Sequence, residues 1–243
     1  MDFSLVLPCF NEEKNIKPLY EEFIQIPLED YKCELIYVNN GSEDNTSQEI
    51  DKIINLNEKK NNNIVIKKVS LSKNQGYGGG IEEGLKFTKG NYIGWAHADL
   101  QTPLEDFFKL FKIIKDKSKI FGKGFRVNNR GYDGIVSRFH ERLASLILGY
   151  KMEEINAQPK IFSRDVLKYF TSMPKKWTVL DTYSIYVCLI NKIEITSIEV
   201  VFKTRIHGQS KWKNNLIIFL KHIFFNIVYL FKLRLLKFKK TNL

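Results

Sequence analysis

The first half of the chain repeats one pattern: a short apolar run ends in polar residues, and a stretch with helical spacing follows. The runs are "FSLVLP", "CELIYVNN", "NIVIKKVSL", "YIGWAHADL" and "KIFGKGF", and helices are predicted from about Glu12, Asp44, Gly78 and Leu104 after the first four. Strands alternating with helices predict βαβ units and a mostly parallel sheet covered on both faces, an α/β fold. Ligands on such sheets bind beyond the carboxyl ends of the strands. Asn11 and Glu12, Asn39 and Asn40, Ser72 and Asn74, and His97 and Asp99 stand there, so the site is expected along that row.

The second half is less regular. A helix is predicted over Ile135 to Leu148, an extended segment at "INAQPKIF", helices around Asp165 to Phe170 and Asp181 to Asn191, and a strand at "ITSIEVVFK". Residues 55–62, "LNEKKNNN", read as a polar surface loop, and no internal repeat or convincing linker interrupts the chain. At 243 residues and 44% hydrophobic it can bury one sizeable core, with an appendage. Cys9, Cys33 and Cys188 are odd in number and far apart, so neither a disulfide framework nor a cysteine-rich zinc site is expected, and a reducing cytoplasm fits. No cationic start with an apolar run precedes the first strand, so no secretory signal is expected.

Charge changes the picture only at the end. Of the net +11, the segment Val200 to Leu243 carries ten Lys/Arg and no Asp/Glu, which leaves a nearly neutral body. The tail also contains "LIIFLKHIFFNIVYLFKLRLLKF", too apolar for water and a poor match to basic residues interleaved with polar or stacking ones along an exposed nucleic-acid groove. Asn215, His222, Asn226, Tyr229 and Lys240 mark a narrow polar stripe, and Lys232, Arg234, Lys237, Lys239 and Lys240 gather at one end. The clean apolar run is shorter than the roughly 20 residues of a transmembrane helix. An amphipathic helix in the membrane interface, cations toward anionic headgroups, is the expectation, with subunit packing in a homo-oligomer as the alternative.

Three groups could carry chemistry. "NQGYGGGIEEG" lacks the Gly-Lys-Ser/Thr ending of a P-loop and has Ile81 where a dinucleotide fingerprint needs glycine, so it is either a tight turn or a direct ligand contact. In "NNGSEDNT", Asn39 and Asn40 could meet a base or ribose while Ser42 or Asp44 caps the next helix. In "GWAHADLQTP", alternate residues His97, Asp99 and Gln101 could converge on a cation. Magnesium takes one or two protein oxygens and fills its sphere with phosphate and water, so Asp99 suffices as anchor. An imidazole ligand favours manganese; otherwise His97 hydrogen-bonds a phosphate or a neighbour.

Taken in order, "LVLPCFNEEKNI", "IYVNNGSEDNT", "NQGYGGGIEEGLKFTKGNYIGWAHADLQTP" and "RIHGQSKW" resemble the inverting, GT-A-fold family 2 glycosyltransferases, within them the polyprenyl-phosphate glycosyltransferases such as dolichyl-phosphate mannose synthase. The resemblance runs from about Phe3 to Trp212. It implies a GT-A domain over 1–210 and a basic membrane-interface helix over 211–243. Pro8, Phe10, Asn11, Glu12 and Asn39 then line the nucleotide pocket, with Asn40, Asn74, Gly76, His97, Ala98 and Ser210 on the same nucleotide-sugar side. The implied metal set is Asp99 and Gln101 with His97 in place of the family's first aspartate, for Mn2+ or Mg2+. Asn39 and Asn40 replace a common Asp-Asp pair, and Tyr77 stands where many relatives have lysine. Arg126, Arg205 and Lys211 join Asp99 as the catalytic cations and anchor around the diphosphate, Arg130 and Arg138 being further candidates; guanidinium suits phosphate bidentately.

The implied reaction is attack on the anomeric carbon of a nucleotide sugar. A lipid phosphate acceptor needs no general base, whereas a sugar hydroxyl needs one, and Asp181, Glu153 and Glu154 are the candidates. Asn156 and Gln158 stand where a carboxylate would serve a hydroxyl, which favours the lipid phosphate. Such an enzyme would be peripheral on the inner face of the cell membrane. The rivals are a hydroxyl-acceptor glycosyltransferase of surface polysaccharide synthesis and a non-catalytic nucleotide-sugar-binding protein.

Overall fold

The structure, a computed structural model, describes residues 1–28, 30–59, 63–128, 131–175, 177–203 and 216–240. Strands β1 (Phe3–Cys9), β2 (Cys33–Asn40), β3 (Ile64–Leu71), β4 (Tyr92–Trp95), β5 (Ile120–Arg126), β6 (Lys160–Ser163) and β7 (Glu194–Val200) form one sheet in the order β3-β2-β1-β4-β6-β5-β7. Pairing is parallel except at β6, which runs antiparallel to β4 and β5. Helices α1 (Glu13–Ile24), α2 (Thr46–Glu58), α3 (Gly76–Leu85), α4 (Leu104–Ile114), α5 (Gly131–Leu148), α6 (Trp177–Ile190) and α7 (Leu216–Lys240) cover it, with a short 3-10 helix at Arg164–Tyr169.

The apolar runs are continuous because the central strands are buried on both faces. Phe3, Leu5, Leu7 and Cys9 of β1 and Cys33, Leu35 and Tyr37 of β2 join α1, α2 and α4 in one core through Ile16, Phe23, Ile50, Phe107 and Phe111. The alternate residues Val6, Ile36 and Val38, with Ile93 and Trp95 of β4, face α3, α5, α6 and α7 through Ile81, Ala144, Tyr186, Leu230 and Leu233. The tail helix therefore packs into the second core as well as carrying its charges.

Most elements begin within a few residues of where the sequence predicts them. Of "INAQPKIF" only Lys160, Ile161 and Phe162 are strand, β6 running on to Ser163; α6 begins at Trp177 and not at Asp181; α2 runs to Glu58, into the segment expected as loop. The connections that matter most lie around β1, whose neighbours are β2 on one side and β4 on the other. Chain direction along the sheet reverses there, and the crevice beyond the carboxyl ends of β1 and β4 is where such sheets bind ligands.

Candidate active site

The loops after β1 and β2 are bonded into one wall of that crevice. Asn11, at φ 57, donates its backbone N–H to Ser42 Oγ at 3.1 Å and accepts from Glu43 N–H at 2.9 Å. Glu12 N–H donates to Thr46 Oγ1 at 2.8 Å, and Glu13 N–H to Asp44 Oδ2 at 3.2 Å. Asp44 Oδ1 also accepts the N–H of Thr46, the first residue of α2, at 3.0 Å, so Asp44 serves both helix starts while Ser42 serves the Asn11 turn. Asn39, buried at the end of β2, accepts from Ser42 N–H at 3.1 Å. Asn11, Glu12 and Asn39 are thus tied to one framework, and Pro8 and Phe10 flank Cys9, the last residue of β1.

Asn40 has different work. Its amide oxygen accepts from Gln75 N–H at 3.0 Å, and its nitrogen donates to Gly76 O at 2.9 Å and Asn74 Oδ1 at 3.4 Å. Asn74 Oδ1 also accepts Gly76 N–H at 2.7 Å. These two side chains shape the glycine turn. Gly76 has φ +80 and Gly78 lies so close to residue 174 that a Cβ would sit 1.9 Å from Pro174 O. Gly78 N–H donates to Lys175 O at 2.9 Å, so the glycines are required by the 174–175 backbone crossing over them.

Beyond β4 the alternation expected from an extended segment is present. Ala98 is in the core, while His97 and Asp99 share the opposite side, His97 Nδ1 lying 3.9 Å from Asp99 Oδ2. Asp99 is 4% exposed and accepts Gln101 N–H at 3.2 Å. Gln101 Nε2 donates to Lys203 O at 3.1 Å, leaving its amide oxygen as the atom able to meet a cation. Among the described residues no group of three or more His, Cys, Asp or Glu side chains is placed to hold a metal. Two donors 3.9 Å apart nevertheless fit an ion that takes its remaining oxygens from diphosphate and water. Tyr77 packs edge-on against His97, ring centroids 5.2 Å apart. Burial, then the nearby Asp181 and Asp99 carboxylates, push the Tyr77 phenol well up, and its hydroxyl is buried with no hydrogen-bond partner.

The far wall is cationic and internally paired. Arg126, at the end of β5, pairs through Nε with Glu154 Oε2, and its buried Nη2 has no hydrogen-bond partner. Lys160 is fully buried; its ammonium donates to Ile155 O at 2.9 Å and Ala157 O at 2.6 Å and lies 3.4 Å from Asp181 Oδ1. Gln158 Nε2 donates to Asp181 at 3.2 and 3.4 Å. Lys123 donates to Glu153 O at 2.9 Å and to the carbonyls of Gly124 and Glu154, both at 3.3 Å. Burial, and next the Lys160 ammonium, bring the Lys123 ammonium down to about 8. Arg138 is exposed on α5, while Arg130, Arg205, Ser210 and Lys211 lie outside the described residues.

The structure adds Lys123 and Lys160 to the residues legible in sequence, and gives Tyr77 a place against His97. "KIFGKGF" and "QPKIF" each held a lysine inside an otherwise apolar run, a signal that a cation is buried and needs partners. Beside the glycine turn, Pro174, Lys175 and Val179 face Phe225, Val228, Tyr229 and Lys232 of α7 across an apolar cleft of about 260 Å³.

The chain as a whole is similar to known proteins. The chain is 24% identical over 218 residues to a dodecaprenyl-phosphate galacturonate synthase of Rhizobium johnstonii, covering 87% of this chain and 62% of that one. It is 29% identical over 182 residues to a prophage bactoprenol glucosyl transferase homolog of Escherichia coli, covering 72% of this chain and 56% of that one. The chain thus spans roughly three fifths of these relatives' length. Among solved structures, glucosyl-3-phosphoglycerate synthase of Mycobacterium tuberculosis, crystallised with Mn2+, uridine diphosphate and glucosyl-3-phosphoglycerate, superposes with a TM-score of 0.66 at 19% identity, over 96% of this chain and 79% of that one. The α/β fold is therefore the GT-A fold. Residues 4–170 match the family profile described as glycosyl transferase family 2, more than half of the chain, and the protein belongs to that family.

Proposed function

We propose that the protein is an inverting glycosyltransferase that moves a sugar from a nucleotide-sugar donor to a polyprenyl phosphate at a membrane surface. One observation carries the choice of acceptor: the three carboxylates considered as general base, Asp181, Glu153 and Glu154, are each already paired with a cation or an amide. Asp181 is held by Lys160 and Gln158, Glu154 by Arg126, and Glu153 by Lys151 at 3.0 Å. Carboxylate oxygens engaged in this way are not free to meet an incoming hydroxyl, which a hydroxyl acceptor requires. An ionised phosphate needs no general base. Two relatives are named for prenyl lipids, which points the same way.

In this reading Pro8, Phe10, Asn11, Glu12 and Asn39 bind the nucleoside, Asn40 and Asn74 hold the Gly76 turn against it, and Asp99 would anchor the ion that meets the diphosphate. Asp99, His97 and the Gln101 amide oxygen would hold a divalent ion, manganese being favoured by the imidazole. When bound, such an ion neutralises charge developing on the departing diphosphate. Arg126 offers its buried Nη2 to the same charge, and Arg205, Ser210 and Lys211 are assigned to it by motif. In this reading residues 1–210 are the transferase body, and the basic segment 211–243, of which Leu216–Lys240 is helix, lies in the interface on the inner face of the cell membrane. Among the described residues no helix is long and apolar enough to cross a membrane.

Purified protein given a panel of nucleotide sugars, Mn2+ or Mg2+ and a prenyl phosphate should form the glycosyl phospholipid with inverted anomeric configuration. Transfer to a saccharide and to no prenyl phosphate would replace this acceptor with a hydroxyl. Failure of every nucleoside diphosphate and nucleotide sugar to raise the melting temperature would sink the donor site itself.

A further inference from the structure

Three side chains in the wall formed by the β1 and β2 loops have their oxygens occupied by the chain itself. Ser42 N–H donates to Asn39 Oδ1 at 3.1 Å, the next N–H, that of Glu43, to Asn11 Oδ1 at 2.9 Å, and Asn11 N–H to Ser42 Oγ at 3.1 Å. A backbone N–H is met by the oxygen of an amide and not by its nitrogen, so these bonds set which way both asparagines are turned. Their oxygens face the loops; their nitrogens face away. The groups left to offer are donors: Nδ2 of Asn39, Nδ2 of Asn11 and the Ser42 hydroxyl proton. None of these donates to another atom among the described residues.

Asn39 is the enclosed member of this set, 7% exposed at the end of β2. Its neighbour Asn40 uses both amide atoms on the glycine turn, the nitrogen on Gly76 O and the oxygen on Gln75 N–H. Of the two amides that end β2, one therefore builds the turn and the other presents an unused donor where the nucleoside is assigned. A donor in so enclosed a place is costly to leave unmet, and the ligand has to bring an acceptor to it. Bases differ in what they bring. Cytosine offers O2 and N3 side by side and guanine O6 and N7, two adjacent acceptors in each case. Uracil sets its N3–H between O2 and O4, and adenine sets its amino group beside both N1 and N7, so each brings a donor against a donor.

We propose that Asn39, with Asn11 and Ser42 beside it, selects a sugar donor whose base carries two adjacent acceptors, a cytidine or guanosine diphosphate, and discriminates against uridine. The inference deepens the donor-site reading above and rests on it. Repulsion contributes as well as attraction: the uracil N3–H would face the Asn39 N–H with neither able to accept. An aspartate at this position would keep the Ser42 bond on one oxygen and turn the other to the base as an acceptor, which reverses the requirement.

Isothermal titration of the full chain with CDP, GDP, UDP and ADP in the presence of Mn2+ tests the choice of base apart from sugar and acceptor. CDP or GDP should bind about tenfold or more tighter than UDP and ADP, and the tighter of the two names the base. Asn39→Asp should shift the ratio about tenfold toward UDP; its added charge weakens all four diphosphates alike and cancels in the ratio. Melting temperature and near-ultraviolet circular dichroism without nucleotide establish that the variant is folded. In the unaltered protein the same bond can be removed from the ligand's side. The diphosphate of 3-deazacytidine or 7-deazaguanosine, in which C–H replaces the acceptor nitrogen, should bind about tenfold weaker than its parent. UDP bound as tightly as CDP and GDP, a deaza analogue bound like its parent, or a ratio that folded Asn39→Asp leaves unchanged would each overturn the proposal while the donor site stands. Failure of all four to bind would remove the donor site, and the choice of base with it.

Discussion

The two edges of the sheet both bury carboxylates, and they treat them in opposite ways. At the amino edge Glu34 is fully buried and accepts from Ser4 Oγ at 2.6 Å, Lys67 Nζ at 2.5 Å and Lys89 N–H. Ser4 Oγ in turn accepts Gly90 N–H at 2.7 Å, so the network closes on itself. At the carboxyl edge Asp99 and Asp181 face a region where polar atoms of Tyr77, Arg126, Asn156 and Gln158 are buried without a partner, whereas at the amino edge, beside Gly90, Arg164 Nη2 is such an atom. Unpartnered buried groups cost about 1–3 kcal/mol each, and a fold retains them where a ligand completes them. The amino edge is built for stability, the carboxyl edge for an occupant.

The most severe test of that contrast is Asp99→Asn. If the carboxyl edge exists for a diphosphate and its ion, transfer should fall by about a thousandfold or more while the melting temperature changes little. Residual transfer within tenfold of wild type would move the anchor elsewhere. Lys160→Met comes next. It leaves Asp181 as a buried charge stripped of its cation and should destabilise the fold by about 3–5 kcal/mol in denaturant unfolding. The double variant Lys160→Met, Asp181→Leu should recover most of that loss. If the double variant is also as active as wild type, Asp181 is structural and the phosphate-acceptor reading gains; if the stable double variant is inactive, Asp181 acts on the acceptor.

How much of this was legible beforehand follows from where the information lies. β1, β2 and β4 were plain because strands buried on both faces are apolar without interruption, and their polar termini announced the crevice. The place of β6 was not: a four-residue strand carries too little pattern to choose partners, and its antiparallel insertion between β4 and β5 is decided by contacts far apart in sequence. His97 and Asp99 were expected on one side because alternation at a strand end sets which residues share a side, and they lie 3.9 Å apart; Asn39 was expected with Asn40 as two successive amides ending β2. Asn40 was placed with them by adjacency, whereas that same alternation turns it to the glycine turn. Lys123 and Lys160 were passed over because lysine ordinarily marks a surface, and only packing shows which lysines are enclosed.

Glu34→Gln probes the closed edge and should cost about 2–3 kcal/mol, with transfer per folded molecule unchanged. Burial opposes the charge on Glu34, but bonds from Lys67, Ser4 and Lys89 prevail and hold its carboxyl below the usual value. A folded-state value below the unfolded one means that the contribution is present above about pH 4.5 and is lost as pH falls through the folded value. The gap between wild type and variant should therefore narrow in acid. A gap independent of pH would mean that shape, and not charge, holds that edge together.

The smallest effect lies at the open edge. Lys123 is brought down to about 8, and an unfolded lysine keeps its proton to about pH 10.4. Between those values the unfolded chain binds more protons than the folded one, so this group makes stability rise with pH. The buried thiol of Cys33, pushed up to about 12, acts in the opposite direction once unfolded thiols begin to ionise. Comparison with Lys123→Met cancels that contribution. From about pH 7 to about pH 10 the wild type should gain on the variant by an amount on the order of 2 kcal/mol in urea unfolding. A flat difference would mean that the carbonyls of Gly124, Glu153 and Glu154 compensate the buried ammonium fully, and the carboxyl edge would then be as self-sufficient at Lys123 as the amino edge is at Glu34.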